Sequence, residues 1–417
     1  MRLIIESDSD IKELLENFQG QFNLSFKPPI ENKMIDLLFQ SNPSLDYGIL
    51  QAINESYDIV EVDDVNNINE LIESFYNIDS IKTIHKDVEI QFETTHLGGY
   101  SASPENYARH DINRVMELIG FDAELLGKEE LNNGSPTIVA VVDSGVDYYN
   151  NNIKNSLWMN EAQTGYGFNL SRGNEGDILN VFDDWSSGIH RGHGTHITGL
   201  ISGSLKVNET LGVFPMAKVL TIKILPSRKT YFSDACLAMV LAVLHGASVI
   251  NCSWTFPENS INDNLKLLMD KTLNFLKKKN CIPVFSAMNL GSNVDDYYPQ
   301  NISEIITVGA TNYESGKADF SNWGSKVDFW APGKDIWSLT PKETRLIQKS
   351  GTSMSAPFVS ATIAMLKKMK SDLDLEQIRE ILIESGTKID MQWPDGKARV
   401  IRLNISGAIN YLENNYL

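Results

Sequence analysis

Three residues in this chain have the types needed to drive a hydroxyl onto a carbonyl carbon, and each stands in a short segment rich in small residues. Ser353 lies in "SGTSMSAP" (350–357), His193 in "RGHGTHITGLISG" (191–203) and Asp143 in "AVVDSGVD" (140–147). A serine hydroxyl is a poor nucleophile until a base takes its proton, and a histidine base needs a carboxylate to fix its tautomer. Ser353 opens an apolar run that reads as a buried helix, so it sits beside backbone N–H groups without intrahelical partners and at the positive end of the helix dipole. That setting favours an oxyanion forming next to it. Gly351 leaves space for a substrate backbone and Thr352 continues the tight approach. Pro357 is expected in the first turn, where its missing donor costs nothing. Each segment alone is also an ordinary turn, loop or cap. Together the three residue types make a nucleophile, a base and an orienting carboxylate.

The elements around them read as an α/β domain. "TIVAVVDSG", "AKVLTIKIL", "ASVINCSW", "IPVFSAMN" and "EIITVGATN" are nearly continuous apolar runs. Helical stretches such as "SDACLAMVLAVLHG" and "NDNLKLLMDKTLNFLKKKN" separate several of them. Strands buried on both faces and alternating with helices indicate a mostly parallel sheet with helices on both faces. Asp143 then ends a buried strand, at the sheet edge where sites form. "LDLEQIREILIESG" (373–386) adds an amphipathic helix with Gly386 as its stop. Ahead of this domain, "IKELLENF" (11–18) and "INELIESF" (68–75) place apolar residues at the same helical offsets, each between strand-like runs. Strand–helix–strand twice suits a small α+β domain of ferredoxin-like type. The expected organisation is that domain over 1–92, with an insertion at about 28–56, a linker over 93–108 and the α/β domain over 109–417.

These segments resemble the Asp, His and Ser boxes of the subtilisin-like serine proteases (subtilases), in that family's chain order. The boxes are separated by 50 and 160 residues, and the resemblance extends over roughly 108–412. It implies a subtilisin-like fold and a serine endopeptidase with catalytic Asp143, His193 and Ser353. "VFSAMNLGS" resembles the family's oxyanion-hole strand, which makes Asn289 the implied side-chain donor. "FSNWGSKVDFWAPG" (320–333) resembles family scaffold. The strand "NCSWTF" is implied to line the substrate groove through Ser253, Trp254 and Thr255. Met288 stands where the family usually has glycine, so a narrowed specificity pocket and limited processing of a precursor or partner protein are expected. The family's calcium site is implied to be lost, because Asn152 and Lys206 occupy ligand positions. Asp177, Asp183 and Asp184 lie in an insertion (173–190) expected to be a solvated acidic loop. The N-terminal domain resembles an inhibitory prodomain, acting as intramolecular inhibitor or fold helper, with "HLGGY" as its tail and Tyr100 as a self-cleavage position. The rival reading is a sealed subtilase-fold binding or regulatory protein.

Composition sets bounds on partners. A formal charge of −18 argues against a nucleic-acid backbone. No 18-residue apolar window suggests a membrane span, and "MRLIIESDSDIKELL" lacks the pattern of a secretory signal, so a cytoplasmic location is expected. Cys236, Cys252 and Cys281 are irregularly spaced and read as free buried thiols. No metal site is expected: His193 and His196 have no acidic third ligand in their box. His190, His196 and His245 are read as structural, and His85, His96 and His110 as surface residues. A dinucleotide-binding enzyme is disfavoured, since no Gly-x-Gly-x-x-Gly follows the "DSG" strand.

Overall fold

The computed structural model describes residues 2–7, 24–27, 58–62, 81–88, 105–171, 177–184, 191–206, 209–225, 230–256, 261–343 and 345–417. The helices expected at 11–18 and 68–75, the insertion at 28–56, the tail around Tyr100, His96 and His190 lie outside the described residues. So do the side chains of His85 and Lys206.

Near the N-terminus, β1 (Arg2–Ser7), β2 (Leu24–Lys27), β3 (Asp58–Val62) and β4 (Ile81–Lys86) form one antiparallel sheet in the order β2-β3-β1-β4. Helix α1 (Glu105–Leu118) begins inside the stretch expected to be linker. The sequence Pro104-Glu105 is a helix-start signal that the surrounding Gly and Ser obscured.

The main sheet is built from β5 (Ile138–Asp143), β6 (Gly167–Asn169), β7 (Lys218–Lys223), β8 (Ala247–Cys252), β9 (Ile282–Ser286), β10 (Ile306–Thr311) and β11 (Phe329–Pro332). A small sheet pairs β12 (Ile336–Ser338) with β13 (Ile347–Lys349). The hairpin β14 (Thr387–Trp393) and β15 (Gly396–Arg402) extends the main sheet at one edge. The strand order is β14-β15-β11-β10-β9-β8-β5-β7-β6, parallel throughout except for that hairpin.

Helices α2 (His193–Ser202), α3 (Phe232–Leu244), α4 (Asp263–Lys278), α5 (Thr352–Met369), α6 (Leu375–Ser385) and α7 (Ile405–Asn415) cover its faces. Strand β5 shows why the apolar runs are unbroken. Val139 and Val141 enter one core with α2, α5, α6 and α7, while Ala140 and Val142 enter the other with α3 and α4. A mostly parallel α/β sheet covered on both faces is therefore the fold. Strands β7 and β8 flank β5 on opposite sides, so the chain crosses over β5 between them. The crevice at the carboxyl ends of such strands is where α/β sheets hold ligands.

Two local expectations change. Gly386 follows α6 but takes an extended conformation, φ −69° and ψ 154°, rather than a left-handed one. Glycine is needed there because a Cβ would collide with Ile401 and the Leu382 carbonyl. Pro357 lies inside α5, beyond its first turn. Its missing N–H releases the Ser353 carbonyl, which accepts instead from Ser253 Oγ at 3.3 Å.

The N-terminal sheet docks on the α/β domain. Ile4 and Ile59 join the α3/α4 core. Arg2 Nη1 donates to both Asp234 oxygens at 3.0 Å, and its Nε lies 3.3 Å from Asp87. Asp87 accepts from Ser233 Oγ at 2.6 Å and Ser233 N at 3.3 Å, while Phe232 N donates to Val88 O at 2.8 Å. The start of α3 is thus capped from the N-terminal sheet. Among the described residues no helix is long and apolar enough to cross a membrane. All three cysteines are buried and unbridged.

Candidate active site

Asp143 ends β5 and His193 opens α2. Gly194 permits this approach, since a Cβ there would strike the Gly145 carbonyl and crowd Asp143 Cβ. His193 Nδ1 lies 2.8 and 3.0 Å from the two Asp143 oxygens, with both side chains out of water. An ionised carboxylate only accepts, so Nδ1 carries the proton and neutral His193 keeps Nε2 as its basic nitrogen. Asp143 Oδ1 also accepts from Ser144 N at 2.7 Å.

Ser353 is the second residue of α5, which packs against α2. The first turn of α5 meets Ser253 and Asn289, just beyond β8 and β9, and the first turn of α2 meets the end of β5, so Ser353 and His193 lie at the same end of the sheet. Ser353 Oγ donates to Ser253 O at 3.4 Å, a long bond, while Ser253 Oγ donates back to Ser353 O. No side chain of Gly351 can cap α5; the acceptor comes from across the fold. Asn289 Oδ1, beyond the end of β9, accepts from Thr352 N at 2.8 Å and Thr352 Oγ1 at 3.0 Å. That pair orients the amide and ties it to the residue before Ser353. Beyond the close approach its position allows, Thr352 thus holds Asn289 through its hydroxyl.

The four residues expected along the groove are all buried in the intact chain. Ser253 is engaged with Ser353 as above, and Thr255 Oγ1 donates to Phe256 O at 3.4 Å. Trp254 is a correction: its side chain sits in the α3/α4 core against Phe256 and Phe285 and donates Nε1–H to Val142 O at 3.0 Å. A large flat ring with one donor is satisfied there and braces β5 against β8. Met288 adopts φ +78°, a left-handed backbone conformation that glycine takes freely and a residue with a Cβ takes only with strain.

Asp183 is the second correction. It is not solvated: it is 1% exposed, and its carboxylate accepts from Ser144 Oγ, Thr195 N and Thr195 Oγ1 at 3.1, 3.0 and 2.7 Å. Burial pushes its carboxyl up to about 7, against the pull of the Thr195 hydrogen bonds. Asp184 is half-exposed and pairs with buried Lys223, while Asp177 is exposed. Nothing in the local sequence separates Asp183 from its two neighbours in type. Lys349, buried on β13, is held down to about 8 by desolvation, against the opposing fields of Asp183 and Asp143. His196 is fully buried, with Nε2 3.1 Å from Ile336 O, and desolvation holds it neutral. His245 packs on Phe168 and Trp158, and burial lowers it to about 4. His110 is exposed beside Asp111. Asn152 O accepts from Ser204 N at 2.8 Å, joining the segment after β5 to the segment after α2. Among the described residues no three His, Cys, Asp or Glu side chains group as metal ligands.

The profile of the subtilase family matches residues 134–399. The cell wall-associated protease of Bacillus subtilis (strain 168) is 30% identical over 274 residues, covering 65% of this chain but only 28% of that protein. The intracellular serine protease of Paenibacillus polymyxa is 28% identical over 281 residues, covering 66% of this chain and 78% of its own length. Among solved structures, the epidermin leader peptide processing serine protease of Staphylococcus aureus superposes with a TM-score of 0.67 at 19% identity, covering 100% of this chain and 99% of that one. A protease from Pseudoalteromonas arctica gives 0.58 at 20% identity over 70% and 93% of the respective chains. Matched over most of its α/β domain and sharing the fold, the chain belongs to the subtilase family of subtilisin-like serine proteases.

Proposed function

We propose that this chain is an endopeptidase for limited processing of a precursor or partner protein, acting through Asp143, His193, Ser353 and Asn289. The observation that carries the reading is the His193–Asp143 pair at 2.8 and 3.0 Å, formed where α2 meets the end of β5. In the proposed reaction the Ser353 hydroxyl leaves its long bond to Ser253 O and gives its proton to His193 Nε2. Its oxygen attacks a peptide carbonyl. The negative oxygen meets the Asn289 N–H₂, whose opposite end is anchored by Thr352, and the Ser353 N–H in the first turn of α5. His193 then protonates the departing amine, and water clears the acyl-enzyme by the same route. Asp143 stabilises the imidazolium at each stage.

A restricted substrate range is supported by Met288 in a glycine-type conformation beside Asn289. A processing role is favoured by the Staphylococcus aureus leader-peptide processing protease, which aligns over the whole chain. The N-terminal sheet, docked through Arg2 and Asp87 on α3, is read as a fold helper or intramolecular inhibitor. Three free buried thiols suit a reducing, cytoplasmic setting. One observation favours the rival reading of a sealed binding protein: Ser353 is 5% and His193 1% exposed in the intact chain.

A fluorophosphonate probe tests the proposal. Wild type should be labelled at Ser353 and Ser353→Ala should not; an unlabelled wild type that also yields no cut sites in a lysate supports the sealed protein instead. N-terminal sequencing of wild type beside Ser353→Ala shows whether the N-terminal domain is released by self-cleavage.

A further inference from the structure

We propose that Asp183 is a positioning residue for the catalytic base, a buried carboxylate that ties the strand end bearing Asp143 to the first turn of the helix bearing His193. The inference rests on the peptidase reading above and deepens it. Asp183 Oδ1 accepts from Ser144 Oγ at 3.1 Å, and Ser144 immediately follows Asp143. Asp183 Oδ2 accepts from Thr195 N at 3.0 Å and Thr195 Oγ1 at 2.7 Å, two residues after His193. The two halves also join directly: Gly194 N donates to Ser144 Oγ at 2.9 Å, and Asp147 N donates to Thr195 Oγ1 at 3.0 Å. The carboxylate thus closes a ring of hydrogen bonds from β5 to α2.

Three donors converge on Asp183, and each of these contacts needs it only to accept. Thr195 N is one of the unpartnered amides of a helix start, and Asp183 satisfies it as a cap that arrives from another segment. The titratable groups around the ring are Asp143 on β5, Lys223 on β7 and Lys349 on β13, with His193 and His196 on α2. Loss of the carboxylate frees the first turn of α2 to shift against β5. Sub-ångström displacement of a general base costs turnover more than it costs binding.

The test uses the full chain and a fluorogenic peptide. Asp183→Asn keeps the volume and some of the hydrogen bonds but removes the charge; Asp183→Ala removes the tether. For Asp183→Asn we expect kcat to fall about 10–100-fold with KM within about twofold of wild type. Thr195→Val, which deletes at nearly constant shape the hydroxyl that donates to Asp183 and accepts from Asp147 N, should show the same split in smaller measure. Asp177→Asn, exposed in the same loop, is the control and should match wild type. Wild-type kcat in a folded Asp183→Asn overturns the inference, as does a rise in KM alone. Should Asp183→Ala fail to fold, the Asn and Thr195→Val variants carry the decision. An inactive wild type, by contrast, refutes the peptidase reading itself.

Discussion

Replacing Arg2 with Met should loosen the N-terminal sheet from the start of α3. Arg2 is 1% exposed and serves two carboxylates, Asp87 at 0% and Asp234 at 10% side-chain exposure. Arg2→Met preserves apolar bulk but removes the cation that the two carboxylates share. Removing one partner of a buried ion pair costs about 3–5 kcal/mol, against about 0–1 kcal/mol for an exposed pair. Asp87 has an escape route: burial already raises its carboxyl to about 6, so it can take a proton and relieve the repulsion. The loss should therefore be full near pH 8 and smaller near pH 5. At about 3–5 kcal/mol, opening of this contact increases by about 10²–10⁴-fold. The assay is hydrogen exchange at Phe232 and Ser233, whose N–H groups donate to Val88 O and Asp87, comparing variant with wild type at each pH. Arg2→Met with Asp87→Asn should recover part of the protection. Unchanged exchange at pH 8 refutes the claim that this cluster holds the sheet down, and equal acceleration at both pH values refutes the role given to Asp87.

Met288→Gly should raise kcat/KM for large side chains before the scissile bond over alanine by roughly 10–200-fold, read from matched peptides; an unchanged ratio removes Met288 from the pocket. Asn289→Ala should lower kcat about 10²–10³-fold with KM little moved, measured by steady-state kinetics on a folded variant. Trp254→Phe should cost about 1–3 kcal/mol in urea unfolding, because Val142 O loses its buried donor, while the cleavage pattern stays the same. The folded-state carboxyl of Asp183 titrates near 7, above the ordinary 3.8, so the folded chain holds that proton more tightly than the unfolded one. Its contribution to stability is full below about pH 4 and is lost as pH rises through about 7. The stability difference between wild type and Asp183→Asn should decline across that window in urea titrations at successive pH values.

The alternation of apolar strands and helices was legible because a strand buried on both faces must be apolar at every position, as Val139 to Val142 are. The late hairpin left a fainter trace: Asp395-Gly396 between alternating Ile389, Met391, Ala398 and Val400 is a turn signal, but the neighbouring amphipathic helix has the stronger pattern. The Asp, His and Ser boxes were visible because small residues at a helix start and a strand end are a local requirement of close approach.

By itself, then, the amino-acid order determined the α/β class, the family and the residue types able to move a proton. Only the folded chain decided that Trp254 braces the core, that Thr352 anchors Asn289, and that Asp183 alone of three nearby acids is buried. Those properties depend on which strand ends and helix starts meet in space, and a carboxylate's neighbours across the fold leave no period or spacing in the sequence that carries it.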